Sequence, residues 1–430
     1  MTYTRRPGMQ SHVVIVGCGA AGLMAAIQAA RAGCPSVLAL DGARTLGAKI
    51  LVSGGGRCNV THDVVTPDDF HALSRHAVRN VLAEFPVERT VEFFQGLGVV
   101  LKREATGKLF PVSDRARTVL DALLGEAERL GVRLLHPWRV QSIERSAKGF
   151  EIRSDDPDTT PVLAQRAILA TGGRSLPKSG SDGRGYDLAR ALGHTVTQTF
   201  PALVPLTLDR AHPLCALSGL SQRATFELRD RGGRRLASYT DPVLCTHFGL
   251  SGPGVLDVSR AVIAARGSGA TLTANWLPAL DPESCDRALL GLSPQTSILR
   301  WLCEQMPERL ARVLLEHASI DPGARVHTLS RPSRRSLVLG ITAYPLPVTG
   351  DRGFTYAEVT AGGVPLAELR LHSMESRLCT GLHLCGEILD VDGRVGGYNF
   401  QWAWATGFLA GRAAGSSDGL SPDPPGEVHR

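Results

Sequence analysis

The sequence lacks the features that mark disulfide-stabilised, metal-binding and membrane-spanning proteins. Its nine cysteines are irregularly spaced between Cys18 and Cys385 and include no Cys-x-x-Cys pair, so neither a disulfide framework nor a zinc site is indicated. No uninterrupted apolar run reaches the roughly 18 residues that a membrane-spanning helix needs. We therefore expect a soluble cytoplasmic protein with no bound metal and no membrane partner.

No long stretch of the sequence carries charge of mainly one sign. The 47 Lys and Arg residues are interspersed with 41 Asp and Glu residues, and only "SRPSRRS" near Arg331 is locally dense in positive charge. A basic cluster that short is typical of a solvated helix face, so we predict no nucleic-acid partner. The 430 residues are 43% hydrophobic, which predicts a globular protein of two or three domains whose oligomeric state the sequence does not determine.

A glycine-rich motif follows the first predicted strand. In "HVVIVGCGAAGLMAAIQAARAG", a buried strand leads into Gly17-x-Gly19-x-x-Gly22 and then into an apolar helix, and the next strand, "SVLALD", ends at Asp41. Gly17 permits a tight turn, Gly19 allows the backbone to approach a pyrophosphate, and Gly22 allows close helix packing. Asp41 can accept hydrogen bonds from ribose hydroxyls. This arrangement predicts a dinucleotide-binding unit.

Two later segments return to the same site. A β-meander in "WRVQSIERSAKGFEIRSDD" leads into the strand "RAILATGGRS", which ends at a glycine turn. Near the carboxyl end, "GLHLCGEILDVDGRVGGYNFQWAWATGFLAGR" predicts a strand, a second glycine turn and a helix that starts near Tyr398. Nicotinamide dehydrogenases do not usually return to their cofactor in this way.

These motifs together resemble a known family. The stretches "VVIVGCGAAGLMAA", "GAKILVSGGGRCNVTH", "LATGGRSLPKSGSDGRGYDLARALGH", "THFGLSGPGVLDVSR" and "GEILDVDGRVGGYNFQWAWATG" are similar to bacterial FAD-dependent oxidoreductases that include aminoacetone oxidases and reductases of bile-acid intermediates. The resemblance runs from about Val13 to Arg412. It implies an α/β fold with a Rossmann-like FAD-binding domain that is interrupted by a β-barrel and a small helical insert.

The sequence also indicates where such an insert lies. After "RALGH" the helix and strand alternation gives way to short β-runs and then to helical stretches. We predict that residues 1–193 and 348–414 form the FAD-binding domain, that 194–347 form the insert with a helical piece over about 282–338, and that the tail 415–430 is disordered.

The stretch "SGGGRCN", Ser53 to Asn59, is predicted to lie along the flavin. Its three glycines allow backbone amides to come within contact distance of a ligand. Arg57 can stabilise reduced flavin or orient an acidic substrate, Asn59 can bond a flavin carbonyl or the substrate, and Lys49 can reach a phosphate or the ribityl chain. The alternative is a turn in which Arg57 caps a helix; for Cys58 we favour a buried thiol over a redox role.

The carboxyl-terminal motif supplies the other side of the predicted site. The resemblance implies that Glu387, beside Gly386, accepts hydrogen bonds from the ribityl hydroxyls. The helix that begins after Gly397 would place its positive end near the pyrimidine end of the flavin and favour negative charge there. We expect Trp402 and Trp404, which follow in this helix, to be core or subunit-contact residues rather than a stacking platform.

The predicted cofactor-binding set combines all these segments. It comprises Gly17, Gly19, Ala20, Ala21, Gly22, Asp41, Lys49, Ser53, Gly54, Gly55, Gly56, Arg57, Cys58, Asn59, Val140, Thr171, Gly172, Gly386, Glu387, Gly397, Tyr398 and Asn399.

Two residues are candidates for catalysis, Arg57 and His247. His247 in "THFGLSGPG" can exchange the proton that accompanies hydride transfer, but the same motif can equally form the hinge of the insert. We expect hydride transfer between a small organic substrate and non-covalent FAD. An NAD(P)H-linked reductase, with NAD(P)H docking transiently, is favoured over an amine oxidase that produces hydrogen peroxide and over an RNA-modifying flavoprotein.

Overall fold

The structure is a computed structural model that describes residues 9–416 and divides into two compact units. One unit comprises the chain up to Phe200 and from Val359 onward, and the other is Pro201–Glu358. Among the described residues, no helix combines the length and apolar character needed to cross a bilayer. Residues 417–430, most of the tail that we predict to be disordered, lie outside the described range, whereas Gly415 is the last residue of a helix.

The strands and helices are numbered in chain order. The strands are β1 Met9–Val16, β2 Val37–Leu40, β3 Thr61–His62, β4 Phe70–His71, β5 Leu101–Arg103, β6 Lys108–Pro111, β7 Arg133–Leu135, β8 Val140–Ser146, β9 Gly149–Ser154, β10 Val162–Leu169, β11 Phe200–Ala202, β12 Leu206–Thr207, β13 Ser221–Arg229, β14 Arg235–Thr246, β15 Gly249–Ser251, β16 Thr271–Asn275, β17 Tyr344–Leu346, β18 Gly350–Asp351, β19 Val359–Ala361, β20 Leu369–Arg370, β21 Glu375–Ser376, β22 Leu382–Leu384 and β23 Asp392–Gly393. The helices are α1 Ala20–Arg31, α2 Ala48–Gly56, α3 Arg75–Glu84, α4 Val87–Gly96, α5 Ala116–Arg129, α6 Arg184–Ala191, α7 Pro253–Ala264, α8 Pro282–Leu290, α9 Ile298–Cys303, α10 Glu308–His317, α11 Arg331–Thr342 and α12 Tyr398–Gly415.

A parallel sheet organises the first unit. Five strands pair in parallel in the order β22-β10-β1-β2-β7, and the β8-β9 meander joins through an antiparallel pairing of β9 with β10. The central strand β1 is buried from Val13 to Val16, as expected for a strand that is covered on both faces. The predicted α/β fold with a Rossmann-like domain is confirmed.

Helix α1 lies against the last helix, α12, over its whole length. Gly407, Gly411 and Gly415 recur every four residues along α12 and so share one face of it. A Cβ added to these glycines would lie 2.2–2.5 Å from backbone oxygens of α1. Small residues therefore let the two helix backbones approach more closely than side chains would permit.

The second unit contains an antiparallel sheet and five helices, of which α7 precedes β16 and α8 to α11 lie between β16 and β17. Its seven strands follow the order β17-β16-β13-β14-β15-β12-β18, so the two ends of this order, β17 and β18, are consecutive in the chain. Only residues 347–349 separate these strands, and so short a link spans at most about 14 Å. The sheet must therefore curl toward closure as a barrel. Helices α8 to α11, between Pro282 and Thr342, form the helical piece.

The boundaries of this unit differ from the predicted insert, 194–347. Residues 194–200 belong to the first unit because His194 Nδ1 lies 2.6 Å from Glu368 Oε2 and the Thr197 amide donates to Gly363 O. At the other end, β18 pairs with β12 and extends the barrel beyond residue 347. Both differences arise from contacts between segments that are distant in the sequence.

Candidate functional site

The glycine turn between β1 and α1 is shaped by backbone contacts at two positions. Gly17 has φ +101°, and a Cβ there would lie 2.4 Å from Ala170 O. A Cβ on Gly22 would lie 1.8 Å from Gly17 O. By contrast, the space beside Gly19 holds no atom of the described protein within 4 Å of an added Cβ. Gly17 and Gly22 thus serve the turn itself, whereas Gly19 leaves room for a ligand.

The start of α1 is suited to an anion. Gly19 is the N-cap, and the described residues provide neither a side-chain cap nor an acidic residue in the first turn, which begins with Ala20 and Ala21. Amide groups at an uncapped helix start form a ready-made phosphate site.

Asp41 lies at the end of β2 and already bonds two backbone amides. Its Oδ2 accepts from Cys18 N and its Oδ1 from Ala43 N, both at 2.7 Å. Each carboxylate oxygen still has a lone pair for a hydroxyl donor. Burial, and then the charge of Asp41, raise the pKa of the Cys18 thiol well above its usual value, so Cys18 is a packed thiol. Val140 begins β8 and is buried. It follows Trp138 by two residues, and the Trp138 amide donates a hydrogen bond to Asp41 O.

Lys49 and Glu387 form an ion pair. Lys49 Nζ lies 2.6 Å from Glu387 Oε2 and donates to Ser175 Oγ at 2.7 Å. The Ser175 hydroxyl and the Thr360 amide donate to Glu387 Oε1, at 2.8 and 3.0 Å. The network fixes the carboxylate, while Lys49 and Glu387 keep about a fifth of their side-chain surface exposed. These groups can therefore both donate to and accept from ligand hydroxyls.

The "SGGGRCN" stretch is a left-handed turn at the end of α2. Gly54, Gly55 and Gly56 have φ values of +55°, +68° and +86°, a region that glycine adopts readily and other residues rarely do. All three are exposed, and a Cβ on Gly55 would meet nothing within 4 Å among the described residues. Ser53, with φ −64° and ψ 148°, ends the regular helix, and its hydroxyl donates to Ile50 O. The turn exposes backbone, and its contact with flavin stays a prediction.

Arg57 is held by side chains of its own unit. Its Nη1 lies 2.6 Å from Glu104 Oε1 and 3.6 Å from Asp114 Oδ1, and its guanidinium lies 4.0 Å from the centre of the Phe110 ring. Two carboxylates and an aromatic face therefore already stabilise this positive charge. A role for Arg57 toward flavin or substrate stays a prediction.

The two residues after Arg57 are buried. Cys58 has φ +61°, and burial raises the pKa of its thiol to about 12, so the thiol stays protonated and does not act as a nucleophile near neutral pH. Asn59 is 8% exposed, and its Oδ1 has no hydrogen-bond partner within the part of the chain that the structure describes. A buried amide oxygen without a donor is costly, so Asn59 is a strong candidate for a ligand contact.

A second buried oxygen without a partner lies at the end of β10. The Thr171 hydroxyl has no hydrogen-bond partner among residues 9–416. The next residue, Gly172, has φ +70°, and a Cβ there would lie 2.7 Å from Ser181 Oγ. The turn after β10 thus requires glycine and leaves a hydroxyl available.

The start of α12 adjoins the strand that follows the glycine turn. Gly397 has φ +95°, and a Cβ there would lie 2.7–2.8 Å from backbone atoms of Thr61. Tyr398 stacks on His62, with ring centres 5.0 Å apart, and the Asn399 side chain bonds both backbone groups of Gly393. Within the described helix, the first turn holds no acidic residue, so its positive end is not neutralised locally.

Further along α12, polar side chains anchor the same strand. Gln401 Oε1 accepts from the hydroxyl of Thr61 at 2.7 Å, and Trp404 Nε1 donates to Val60 O at 2.8 Å. Trp402 and Trp404 are both buried, which agrees with the expected core role. The helix therefore holds the segment that leaves the glycine turn.

These contacts connect the predicted segments into one region of the first unit. Asp41 bonds Cys18 within the phosphate turn, and a Cβ on Gly386 would lie 2.7 Å from the Cβ of Ala21 at the start of α1. Glu387 then reaches Lys49 in α2, the helix that ends in the glycine turn. These segments, which are distant in the sequence, are therefore neighbours within the first unit.

His247 lies in the second unit. It occupies the turn between β14 and β15, is exposed, and has its ring 5.2 Å from that of Phe248. Its role as a proton donor or as part of a hinge stays a prediction.

Two residues of the Lys49–Glu387 network were not predicted. Ser175 lies within the quoted "LATGGRS" motif, so its position beside the glycine turn was a usable signal. Thr360 belongs to no recognisable sequence motif. Only the folded structure shows that β19, which contains Thr360, lies beside Glu387.

Comparisons with known proteins find relatives along nearly the whole chain. A model of the HI0933-like protein Rossmann domain matches residues 11–413. The 3-dehydro-bile acid delta(4,6)-reductase of Clostridium scindens is 37% identical over 411 residues, which cover 94% of this chain and 99% of the reductase. The ribosomal RNA dihydrouridine synthase of Escherichia coli is 32% identical, with 91% and 95% of the two chains covered.

A solved structure also shares the fold. The 3-ketosteroid delta1-dehydrogenase of Sterolibacterium denitrificans, solved in complex with 1,4-androstadiene-3,17-dione, has a TM-score of 0.50 at 14% identity. The match covers 94% of this chain and 99% of the dehydrogenase. At this identity the likeness describes the fold alone.

Proposed function

The chain belongs to the HI0933-like Rossmann family and is an FAD-dependent oxidoreductase, and we propose that it reduces a carbon–carbon double bond conjugated to a carbonyl group in a small organic substrate. Hydride for this reduction comes from NAD(P)H. The reaction adds one hydride and one proton across the double bond.

The observation that carries this proposal is a reaction type shared by two relatives with unlike substrates. The bile-acid reductase is named for double bonds at positions 4 and 6 of a 3-oxo compound, and the dihydrouridine synthase is named for the saturated form of the uracil ring. In both substrates the double bond that becomes saturated is conjugated to a carbonyl. A shared fold that reduces a carbonyl-conjugated double bond explains how one family can act on both substrates.

The residues of the first unit fit FAD. The uncapped start of α1 and the open space at Gly19 suit the pyrophosphate, and Asp41 suits the adenosine ribose. Lys49 and Glu387 offer partners to the ribityl hydroxyls. Asn59 Oδ1, a buried acceptor without a partner among the described residues, suits an N–H of the flavin ring. When bound, FAD supplies two-electron hydride chemistry.

The protein's own contribution is orientation and electrostatics. The positive end of α12 favours a negative charge beside its N-cap residue, Gly397, because the first turn of this described helix carries no carboxylate. The left-handed turn at Gly54 to Gly56 presents backbone without side chains, so a planar ring can approach closely. His247 is the proposed proton donor to the substrate.

NAD(P)H is the proposed electron donor because the relatives include a reductase, although the sequence offers no second site built for a nicotinamide cofactor. Only one Gly-x-Gly-x-x-Gly fingerprint follows a strand and opens a helix, and the first unit uses it. NAD(P)H must therefore dock transiently, and its binding is expected to be weak.

A second candidate substrate is a uracil ring in RNA. Relatives from Escherichia coli and Haemophilus influenzae carry the name ribosomal RNA dihydrouridine synthase, and both match more than nine-tenths of this chain. The hairpin between β13 and β14 also carries exposed arginines at its tip, namely Arg229, Arg231, Arg234 and Arg235. Such a tip can contact phosphates. The absence of a nucleic-acid partner therefore stays a prediction.

The proposal is tested by two half-reactions under anaerobic conditions. First, oxidised protein is mixed with NADH or NADPH, and loss of the yellow flavin absorbance is followed. Second, the reduced protein is mixed with a conjugated steroid enone or with the matching saturated ketone. We expect bleaching by a nicotinamide and return of the colour with the enone but not with the saturated ketone.

Other outcomes separate the alternatives. Bleaching by aminoacetone but by neither nicotinamide, with hydrogen peroxide formed in air, would replace the proposal with an amine oxidase. Reoxidation by a uridine-containing RNA but not by the enone would favour the RNA substrate. If dithionite-reduced protein reacts with the enone but nicotinamides do not bleach it, only the proposed donor is wrong.

A further inference from the structure

An arginine of the second unit lies over two aromatic rings. The guanidinium carbon of Arg352 is 3.8 Å from the centre of the Tyr356 ring and 4.3 Å from that of Phe248. Arg352 directly follows β18, whereas Phe248 lies in the turn before β15, and both strands pair with β12. Gly249 permits this pairing, because a Cβ there would lie 2.3 Å from Leu206 O. The barrel therefore brings Phe248 to a segment that is distant in the sequence.

The hydrogen-bond donors of this guanidinium are not used within the described protein. The Arg352 side chain makes neither a hydrogen bond nor an ion pair to any of residues 9–416. The adjacent carboxylate, Asp351, is occupied by other groups: its Oδ2 lies 2.7 Å from Arg266 Nη2, and its Oδ1 accepts from the Gly353 amide. Aromatic rings cover the faces of a stacked guanidinium and leave its N–H edge open to a ligand.

The two rings also prepare Arg352 for binding. Because they hold the side chain in place, a ligand need not pay the full entropy of ordering a flexible arginine. The rings displace water from the charged group, and Arg352 is half-buried, so an ion pair formed there is stronger than at a fully exposed arginine. Arg266, by contrast, is already paired with Asp351.

We infer that Arg352, Tyr356 and Phe248 form a binding site for a small organic carboxylate that carries a flat apolar group. A planar guanidinium binds both oxygens of a carboxylate through two parallel N–H···O bonds. One guanidinium carries one positive charge, which matches a carboxylate, whereas a phosphate monoester carries about −1.5 to −2 at pH 7.

The surroundings of the guanidinium favour the flat apolar group. Tyr356 is 51% exposed, so the open part of its ring offers a surface on which a second ring can stack. His247, whose ring lies 5.2 Å from that of Phe248, adds no negative charge that would oppose an anion. The inference uses residues of the second unit alone and does not rest on the proposed function.

The test is a titration of the full-length holoprotein with benzoate, followed by ligand-observed NMR at constant ionic strength. Benzamide, which has the same ring and no charge, is the control for the carboxylate, and acetate is the control for the ring. Phenyl phosphate separates a carboxylate site from a phosphate site. We expect benzoate to bind more tightly than all three, and more than about tenfold more tightly than benzamide, because benzamide forms no charged pair with the guanidinium.

Three variants and a control tie the binding to this site. Arg352→Gln is expected to weaken benzoate binding more than about tenfold, and Arg352→Lys, which keeps the charge but not the two parallel donors, by several-fold. Tyr356→Leu should lower the affinity for benzoate toward that for acetate. Arg312→Gln removes an exposed arginine that pairs with Glu308 on α10, and should change nothing. Thermal melting identifies any variant that fails to fold; if Arg352→Gln does, Arg352→Lys decides.

Several results would overturn the inference. Equal binding of benzamide and benzoate would show that the charge of Arg352 is not used, and tighter binding of phenyl phosphate would assign the site to phosphates. Benzoate binding that is unchanged in folded Arg352 variants would place the ligand elsewhere, and a benzoate-induced change in flavin absorbance that persists in them would place it at the cofactor. None of these readouts depends on the enone reaction, so this inference and the proposed function can fail separately.

Discussion

Gly19→Ala is expected to remove most FAD binding while leaving the apoprotein folded. Gly19 has φ −79°, which alanine adopts, and the added Cβ would meet no described protein atom within 4 Å. The methyl group would instead occupy the space in which a pyrophosphate must approach the backbone. At an overpacking cost of about 1–3 kcal/mol, FAD affinity should fall by about ten- to a hundredfold, as measured by titrating apoprotein with FAD.

Two further variants serve as comparisons for Gly19→Ala: Gly22→Ala, which should also disturb the fold, and Gly125→Ala, which should not affect FAD binding. A Cβ on Gly22 would lie 1.8 Å from Gly17 O, so this variant should lose both FAD affinity and free energy of unfolding. Gly125 lies in α5 with nothing within 4 Å of an added Cβ, and its change to alanine should stabilise the protein by about 1 kcal/mol without affecting FAD. If Gly19→Ala binds FAD as tightly as the unaltered protein, the ligand does not lie at this turn.

Gly411→Ala is expected to lower the free energy of unfolding by about 3 kcal/mol, the upper end for overpacked cores. The new Cβ would lie 2.2 Å from Ala25 O, a rigid backbone atom, so α1 and α12 must move apart. Both helices begin at the candidate site, at Ala20 and Tyr398, so FAD affinity should fall as well. Urea unfolding, followed by circular dichroism with and without added FAD, measures both effects.

The same change at Gly125 is the control, since it adds a methyl group to a helix without a close neighbour. Gly407→Ala offers a second check, because its Cβ would lie 2.5 Å from Ala21 O and should act in the same direction. Stability unchanged in both α12 variants would mean that the two helices are not packed as closely as described.

The local features of the site are predictable because they depend on neighbouring residues. The phosphate turn follows from glycine spacing between a strand and a helix, and the left-handed turn follows from three successive glycines. The buried state of Trp402 and Trp404 follows from an apolar helix that begins at a glycine turn. In each of these cases, a few adjacent residues determine the backbone.

Features that depend on distant partners are not predictable in this way. Nothing near Arg57 in the sequence indicates that Glu104 and Phe110 would hold its guanidinium. Lys49 and Glu387 were each expected to meet the ligand, but their direct pairing requires knowledge of how α2 approaches the end of β22. Such contacts emerge only when the chain is folded.

The start and end of the second unit illustrate the same limit. A change from helices to short strands locates the insert, but the position of each boundary depends on strand pairing and side-chain contacts. Thr197 bonds Gly363, which keeps residues before Pro201 in the first unit, and Gly350 pairs with Thr207, which keeps β18 in the second.

The most direct test of the central claim is the identity and amount of the flavin that the purified protein releases. Denaturation by heat or acid, followed by chromatography of the supernatant, should yield intact FAD at close to one molecule per chain, because we propose that the turn at Gly17 to Gly22 binds the pyrophosphate and Asp41 the adenosine ribose. Release of FMN, or failure of the apoprotein to bind added FAD, would contradict the account.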